Sequence, residues 1–422
     1  MSSIAPNREE NRIHSEPAET SNEVVSYCRD PNYYYPDGSV VILVENILFK
    51  FQASLMSNTT HSSDGSSSGG GLLQAWLTCS SDSNPIKLTC ITSAQFRNFL
   101  SVVLGIPSDP GYLALLMGAQ AIANHNPELL IKYLDISYIS YKFGMRNLEL
   151  WARTQFELVL QSSYTSTFVF SQWNSATLLH FQLYADSTGD SNLRLRVKTF
   201  IQYLISIFAD KMTQPSSSVF SNFNACVEMY KDGCLKQQNP VLFGCVFAAI
   251  VSQDHRSGMW TSAITQKDKM LLYAAQVQLT SVAQELEKVR WLLVPPSDLP
   301  FFAQLCPTCQ SELPEVWKNT FGSCGRLNSS VLLQDMHCLS QLPQYLHRLR
   351  HGWKKINCSG HCTSTTTSRN PNHIRPTSGP SLGRFVLNLR LNRCLEICTP
   401  QICELIDGIY GELASRHAQF AS

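Results

Sequence analysis

Asp30-Pro-Asn-Tyr-Tyr-Tyr-Pro-Asp-Gly-Ser-Val-Val-Ile-Leu-Val-Glu45, then Asn46 and Ile47-Leu-Phe-Lys-Phe51, is the stretch on which the reading of this chain turns. Asp37-Gly38 is a turn signal. Val40–Val44 is a β-branched run, Asn46 marks a second turn, and Ile47–Phe51 alternates apolar and polar positions. Strand, tight turn and strand predict a β-hairpin. Asp37 reads as a turn residue and not as an acid. Downstream, Ile86–Cys90 predicts a third strand. Ser93 is an expected N-cap for a helix that carries Phe96, Phe99, Leu100 and Val103 on one face.

Beyond the loop Gly105–Pro110 the pattern becomes helical. The expected segments are Tyr112–Ala123, Pro127–Tyr141, Met145–Leu160, Ser175–Thr188, Leu193–Met212, Ser221–Gly233, Val241–Val251 and Lys267–Leu293, the last stopped by Pro295-Pro296. The aromatic positions Phe200, Tyr203, Phe208, Phe220, Phe223 and Tyr230 read as core. From Phe301 the pattern is irregular and rich in Cys, Pro and Trp, and a final amphipathic helix spans Pro400–Phe420. Two low-complexity runs, 57–71 and 359–383, and the polar tail 1–26 have no core-forming capacity. The fold class is therefore α+β at the N-terminus followed by mainly α-helical material. The expected domains are 27–162, 163–296 and 297–422.

The hairpin and the segments after it resemble the BTB/POZ domains of mushroom-forming (basidiomycete) fungi. In that family an aromatic-Pro-Asp-Gly segment leads the first strand. Ile86-Lys-Leu-Thr-Cys-Ile-Thr92 with the 96–104 helix resembles the next strand and helix, and Leu134–Ala152 resembles the closing helices. Val41, Leu43, Leu48, Phe49, Phe96, Leu100, Leu134 and Trp151 are expected to build such a domain. The chain departs from the family after the second strand. Gln52-Ala-Ser54-Leu55 and the Ser/Gly run interrupt the segment that forms the family's first helical hairpin. The resemblance implies a non-enzymatic adaptor or scaffold that binds a protein partner: a second copy of itself, a cullin-type ubiquitin-ligase scaffold or a transcriptional corepressor.

Composition narrows the classes. Of the 422 residues 44% are hydrophobic and 15% charged, which favours packed material over disorder. A net charge of +1 does not favour nucleic acid as a partner. Residues 1–23 carry no apolar signal core, and Val241–Val251 is about half of the ~20 residues a bilayer needs. A cytoplasmic or nuclear location is expected, with most of the 15 cysteines reduced.

Chemistry is sparse. There is no Gly-x-Ser-x-Gly and no His-Glu-x-x-His, and Gly69–Gly71 lacks the Lys-Ser/Thr of a phosphate loop. No catalytic or cofactor-binding residue is expected. The metal candidates are Cys306 and Cys309, spaced Cys-x-x-Cys, with Cys358 and Cys362 as a second pair beside His361. Cys324, His337 and Cys338 lie between the pairs. The basic run His347–Lys355, interleaved with Trp353, could contact phosphate or serve as an import signal. It sustains a second reading, a nuclear regulator touching DNA. An enzyme of unrecognised type is the third.

Overall fold

The computed structural model describes residues 27–57, 80–164, 168, 171, 173–211, 217–253, 255, 260, 263–279, 286–322, 332–354, 356 and 393–421. The tail 1–26, the Ser/Gly run from 58 onward and the segment 359–383 lie outside them. The described chain is mostly helical with one small sheet, which agrees with the α+β expectation. It divides into two compact units, Met1–Gly105 and Ile106–Ser422. The helices between residues 106 and 162, which the sequence groups with the hairpin, fall in the second unit.

In the first unit four strands, β1 (Cys28–Tyr34), β2 (Val40–Val44), β3 (Ile47–Phe51) and β4 (Ile86–Leu88), form a mixed sheet in the order β1-β3-β2-β4. The predicted hairpin is β2–β3, antiparallel, with Val44 opposite Ile47 and Val40 opposite Phe51. Its two-residue turn places Glu45 at φ 55. Every residue of β2 is buried, as suits a strand flanked on both edges. The other turn is tight at Gly38, where a Cβ would lie 2.7 Å from the Phe51 backbone nitrogen.

β1 was not anticipated. Pro31 removes a ladder donor, and such a residue is confined to edge strands. β1 is an edge, paired in parallel to β3 at Cys28, Arg29 and Tyr34 with a register irregularity between the last two. After the one-turn helix α1 (Ser54–Ser57), β4 pairs in parallel with β2 and is shorter than expected, ending at Leu88. Helix α2 (Ser93–Val103) follows. Thr92, and not Ser93, is its cap: Thr92 and Gln95 exchange side-chain and backbone bonds in a capping box. Phe96 meets Phe49 edge-on at 4.9 Å between centroids, which seats α2 on the sheet.

The second unit is helical. Its first elements are α3 (Pro110–Met117), α4 (Pro127–Lys142), α5 (Arg146–Ser162), α6 (Ser175–Ser187), α7 (Ser191–Lys211) and α8 (Ser217–Lys231). There follow α9 (Gly233–Gln238), α10 (Pro240–Val251), α11 (Gln266–Gln278), α12 (Pro307–Phe321), α13 (Leu332–Ser340), α14 (Leu342–Trp353) and α15 (Arg393–Ala421). Proline opens several of them at its tolerated place in the first turn. Asp109, Asn126 and Asn239 precede Pro110, Pro127 and Pro240, and their side chains cap the helices that follow.

α10 is the centre of this unit. Ten successive residues, Leu242–Val251, are buried. It packs against α15, α7, α8 and α13. Each Leu, Ile, Val or Phe removed from water contributes about 1.5–3 kcal/mol, so a helix apolar on all sides is stable only when enclosed in this way. The expected core aromatics Phe200, Tyr203, Phe208, Phe223 and Tyr230 are buried; the side chain of Phe220 lies outside the described residues. Val41, Leu43, Leu48, Phe49, Phe96, Leu100 and Leu134 are buried too, whereas Trp151 is half-buried, edge-on to Tyr133.

Three expectations need correction. Tyr112–Ala123 is not one helix: α3 ends at Met117, and 3-10 turns follow at Gly118–Gln120 and Ile122–Asn124. The long helix 267–293 is not continuous, because α11 ends at Gln278 and Glu287–Leu292 is a 3-10 segment. The described residues after Phe301 are not irregular but carry α12, α13 and α14. Pro343 sits in the first turn of α14, while Pro314 and Pro400 are accommodated inside α12 and α15.

Candidate functional site

Three features of the second unit are candidate sites among its described residues. The first is a cysteine cluster. Cys306 is the N-cap residue of α12, in extended conformation, with Pro307 at the first helical position. It occupies the place held by Asp109, Asn126 and Asn239 before their prolines, yet its side chain makes no capping bond. Cys309 completes the first turn, so both sulfurs of the Cys-x-x-Cys lie at one helix end. Cys394 is the second residue of α15. The Sγ atoms of Cys306, Cys309 and Cys394 lie within 4.8 Å of one another. The Cys306 backbone N–H donates to Cys394 Sγ at 3.4 Å.

Cys309 and Cys394 are buried and Cys306 is half-buried; all three carry thiols and not disulfides. One helical turn beyond Cys394, Cys398 is fully buried. Burial pushes its thiol up to about 12, helped by the neighbouring Cys394 and Cys309. Three sulfurs thus converge where the start of α12 meets the start of α15, and Cys398 follows one turn on along α15. Gln310 Nε2 braces this corner by donating to the Phe302 carbonyl at 3.1 Å.

Of the metal candidates read from sequence, Cys306 and Cys309 are brought together with Cys394. Cys358 and Cys362 lie outside the described residues, as do His361 and Cys324. Cys338 is disulfide-bonded, an exception to the expectation of reduced thiols. The sequence reading missed Cys394 and Cys398. Their four-residue spacing inside an amphipathic segment was the available signal, since it puts two sulfurs on one helix face.

The second surface is α3. Its sequence, Pro-Gly-Tyr-Leu-Ala-Leu-Leu-Met, is apolar on all sides, but only Leu115 is buried. Leu113 and Met117, one turn apart, are 46% and 56% exposed, and Ile122 beyond them is 69% exposed. The backbone beneath is held firmly, with Tyr133 Oη donating to the Leu115 carbonyl at 2.5 Å. His125 Nε2 lies 2.9 Å from the Ala119 carbonyl oxygen.

The third surface is the basic run. On α14, Leu346, Leu349 and Trp353 are buried, while Arg348 and His351 project outward. Trp353 is fully buried and cannot stack on a base. His347, Arg348 and His351 line an open groove between α14 and α12, opposite Glu312 and Asn319. His347 stacks on Tyr164 at 4.6 Å. Burial, then the nearby Arg350, His351, Lys354 and Arg348, lower its pKa to about 4, so at neutral pH it brings no charge to the groove.

No helix among the described residues is long and apolar enough to cross a membrane. Compared with protein-family models, with curated proteins and with solved structures, the chain matches none.

Proposed function

We propose that this protein is a protein–protein interaction module, an adaptor or scaffold of BTB/POZ type. One observation carries the reading: α3 is a helix of wholly apolar sequence that leaves Leu113 and Met117 in water, with Ile122 exposed after it. An apolar helix face of this kind is stable in a soluble chain when a partner covers it. The mixed sheet supports the same reading. Its hairpin β2–β3, with strand β4 and helix α2 after it, follows the element order that the resemblance of residues 30–51 and 86–104 to BTB/POZ domains implies. Such a module works by shape and buried apolar area and needs no catalytic residue. Its partner is a second copy, a cullin-type scaffold or a corepressor.

The test compares the full-length wild type with the pair of substitutions Leu113→Ser and Met117→Ser. Sedimentation velocity reads self-association, and quantitative mass spectrometry reads the proteins retained from the native cells. Circular dichroism checks that the variant is folded. Loss of the dimer, or of one cullin or corepressor, in the folded variant is the expected result. An unchanged mass and an unchanged set of retained proteins would overturn the reading.

A further inference from the structure

We infer that Cys306, Cys309, Cys394 and Cys398 form a structural zinc site that clamps the start of α15 to the start of α12. The argument rests on convergence. Tetrahedral zinc with Zn–S bonds of about 2.3 Å holds its sulfurs roughly 3.8 Å apart. Three sulfurs from two distant parts of the chain already lie within 4.8 Å of one another. A small inward rotation of the side chains closes that triangle on an ion.

Cys398 supplies the fourth corner. It stands one turn after Cys394 on the same face of α15 and is fully buried. The set is therefore Cys-x-x-Cys and Cys-x-x-x-Cys, each pair at the beginning of a helix. Thiolate donors select zinc over magnesium or calcium. Four protein sulfurs leave no open position for water, so the site is structural and not catalytic.

The surroundings suit bound thiolates. The N-terminal end of α12 points its partial positive charge at Cys306 and Cys309. The Cys306 N–H already donates to Cys394 Sγ, a bond that orients the sulfur and offsets its negative charge. Pro307 fixes the first turn and so holds the two sulfurs of the Cys-x-x-Cys at a set separation.

The position explains what the ion would do. α15 is the helix packed most extensively on the buried α10, and its N-terminal end meets the start of α12 at Cys394. Zinc there closes a long loop and makes metal affinity part of folding stability. It also distinguishes this set from the sequence-derived one, in which Cys358 and Cys362 complete the site.

The experiment uses full-length protein purified under reducing conditions, with zinc counted by elemental analysis and native mass spectrometry. One zinc per chain is expected, with X-ray absorption showing a sulfur-only shell at about 2.3 Å. Cys394→Ser should abolish stoichiometric zinc, and the double substitution Cys358→Ser with Cys362→Ser should keep it. In the cobalt-substituted protein, Cys398→Ser should retain the metal while losing about a quarter of the thiolate charge-transfer intensity, as four sulfurs become three. Absence of zinc from the wild type, fewer than four sulfurs in its absorption spectrum, or loss of zinc on removing Cys358 and Cys362 would each overturn the proposal. The absorption measurement needs no variant, so it stands even if Cys394→Ser fails to fold.

Discussion

Gly244 of α10 lies so close to Tyr410 of α15 that a Cβ built at Gly244 would stand 1.8 Å from the Tyr410 carbonyl oxygen and 3.0 Å from its Cα. The two helices cross backbone to backbone at this point. No rotamer change relieves such an overlap, because both colliding atoms are main chain. Gly244→Ala therefore forces the helices apart and opens the packing of Phe243, Phe247 and Tyr410. We expect a loss of about 3 kcal/mol or more, the upper end for overpacked cores. Denaturant unfolding followed by circular dichroism measures it. A variant as stable as wild type would show that the crossing is looser than described.

In the first unit, Asp30 is buried and its carboxylate is shared among three donors. Oδ1 accepts the N–H groups of Asn32 and Tyr33, each at 3.0 Å, and Oδ2 accepts Arg97 Nε at 2.7 Å. The pair ties β1 to α2. Arg97 is 36% exposed whereas the Asp30 carboxylate is wholly enclosed, so the two substitutions are not equivalent. Asp30→Asn keeps an acceptor for both N–H groups and lets the guanidinium swing into water; about 1–2 kcal/mol is expected. Arg97→Met leaves a buried carboxylate without its cation and should cost about 3–5 kcal/mol. The order of the two losses in thermal unfolding is the check.

Much of this was legible beforehand, and the failures have physical causes. β2 and β3 were readable because the turn signals Asp37-Gly38 and Asn46 set off a β-branched run and an alternating one. α10 was readable because its apolar run is too long for a strand. β1 was not, since Pro31 and three tyrosines look like a loop until β3 is there to pair with them. α12 and α14 were hidden by Pro314 and Pro343, because proline disfavours helix in isolation while packing overrides it. Half of the cysteine cluster was visible in Cys306 and Cys309. The other half needed the start of α15 placed against α12, which no spacing in the sequence encodes.

Three histidines, His417 buried and His180 and His347 half-buried, set the response to mild acid. His180, His347 and His417 each have a pKa lowered to about 4, with burial as the leading cause. His417 sits among Phe243, Phe247 and Tyr230, with Lys236 lowering and Asp268 raising its pKa. In the unfolded chain each titrates near 6.5. Between those values the unfolded state binds more protons, so stability is complete above about pH 6.5 and falls as pH drops toward 4. The lowered carboxylates, such as Asp190 beside Arg153, lose their contribution only as pH falls through and below the ordinary carboxylate range. His417→Phe should flatten the upper part of the curve. Unfolding midpoints at constant salt from pH 7 to pH 4.5 test this, and a slope unchanged by the substitution would sink it.

Six further thiols among the described residues should sort by burial when the native protein meets an alkylating agent. Cys28, Cys90 and Cys234 are exposed. Cys226 and Cys245 are buried and held well above the usual thiol range by loss of solvation. Cys403, beside Thr199 Oγ1 at 3.9 Å, is raised for the same reason. Thiolate is the reactive form, so burial slows reaction twice, through access and through ionisation. A short pulse of iodoacetamide followed by peptide mapping should label the first three and spare the second three. Labelling of Cys226, Cys245 and Cys403 should appear only when α7, α8, α10 and α15 separate, and should therefore rise together across an unfolding titration. Early labelling of Cys403 alone would mean that the contact between α7 and α15 opens before the core does, although Lys198 and Gln202 both bond Asp407 across it.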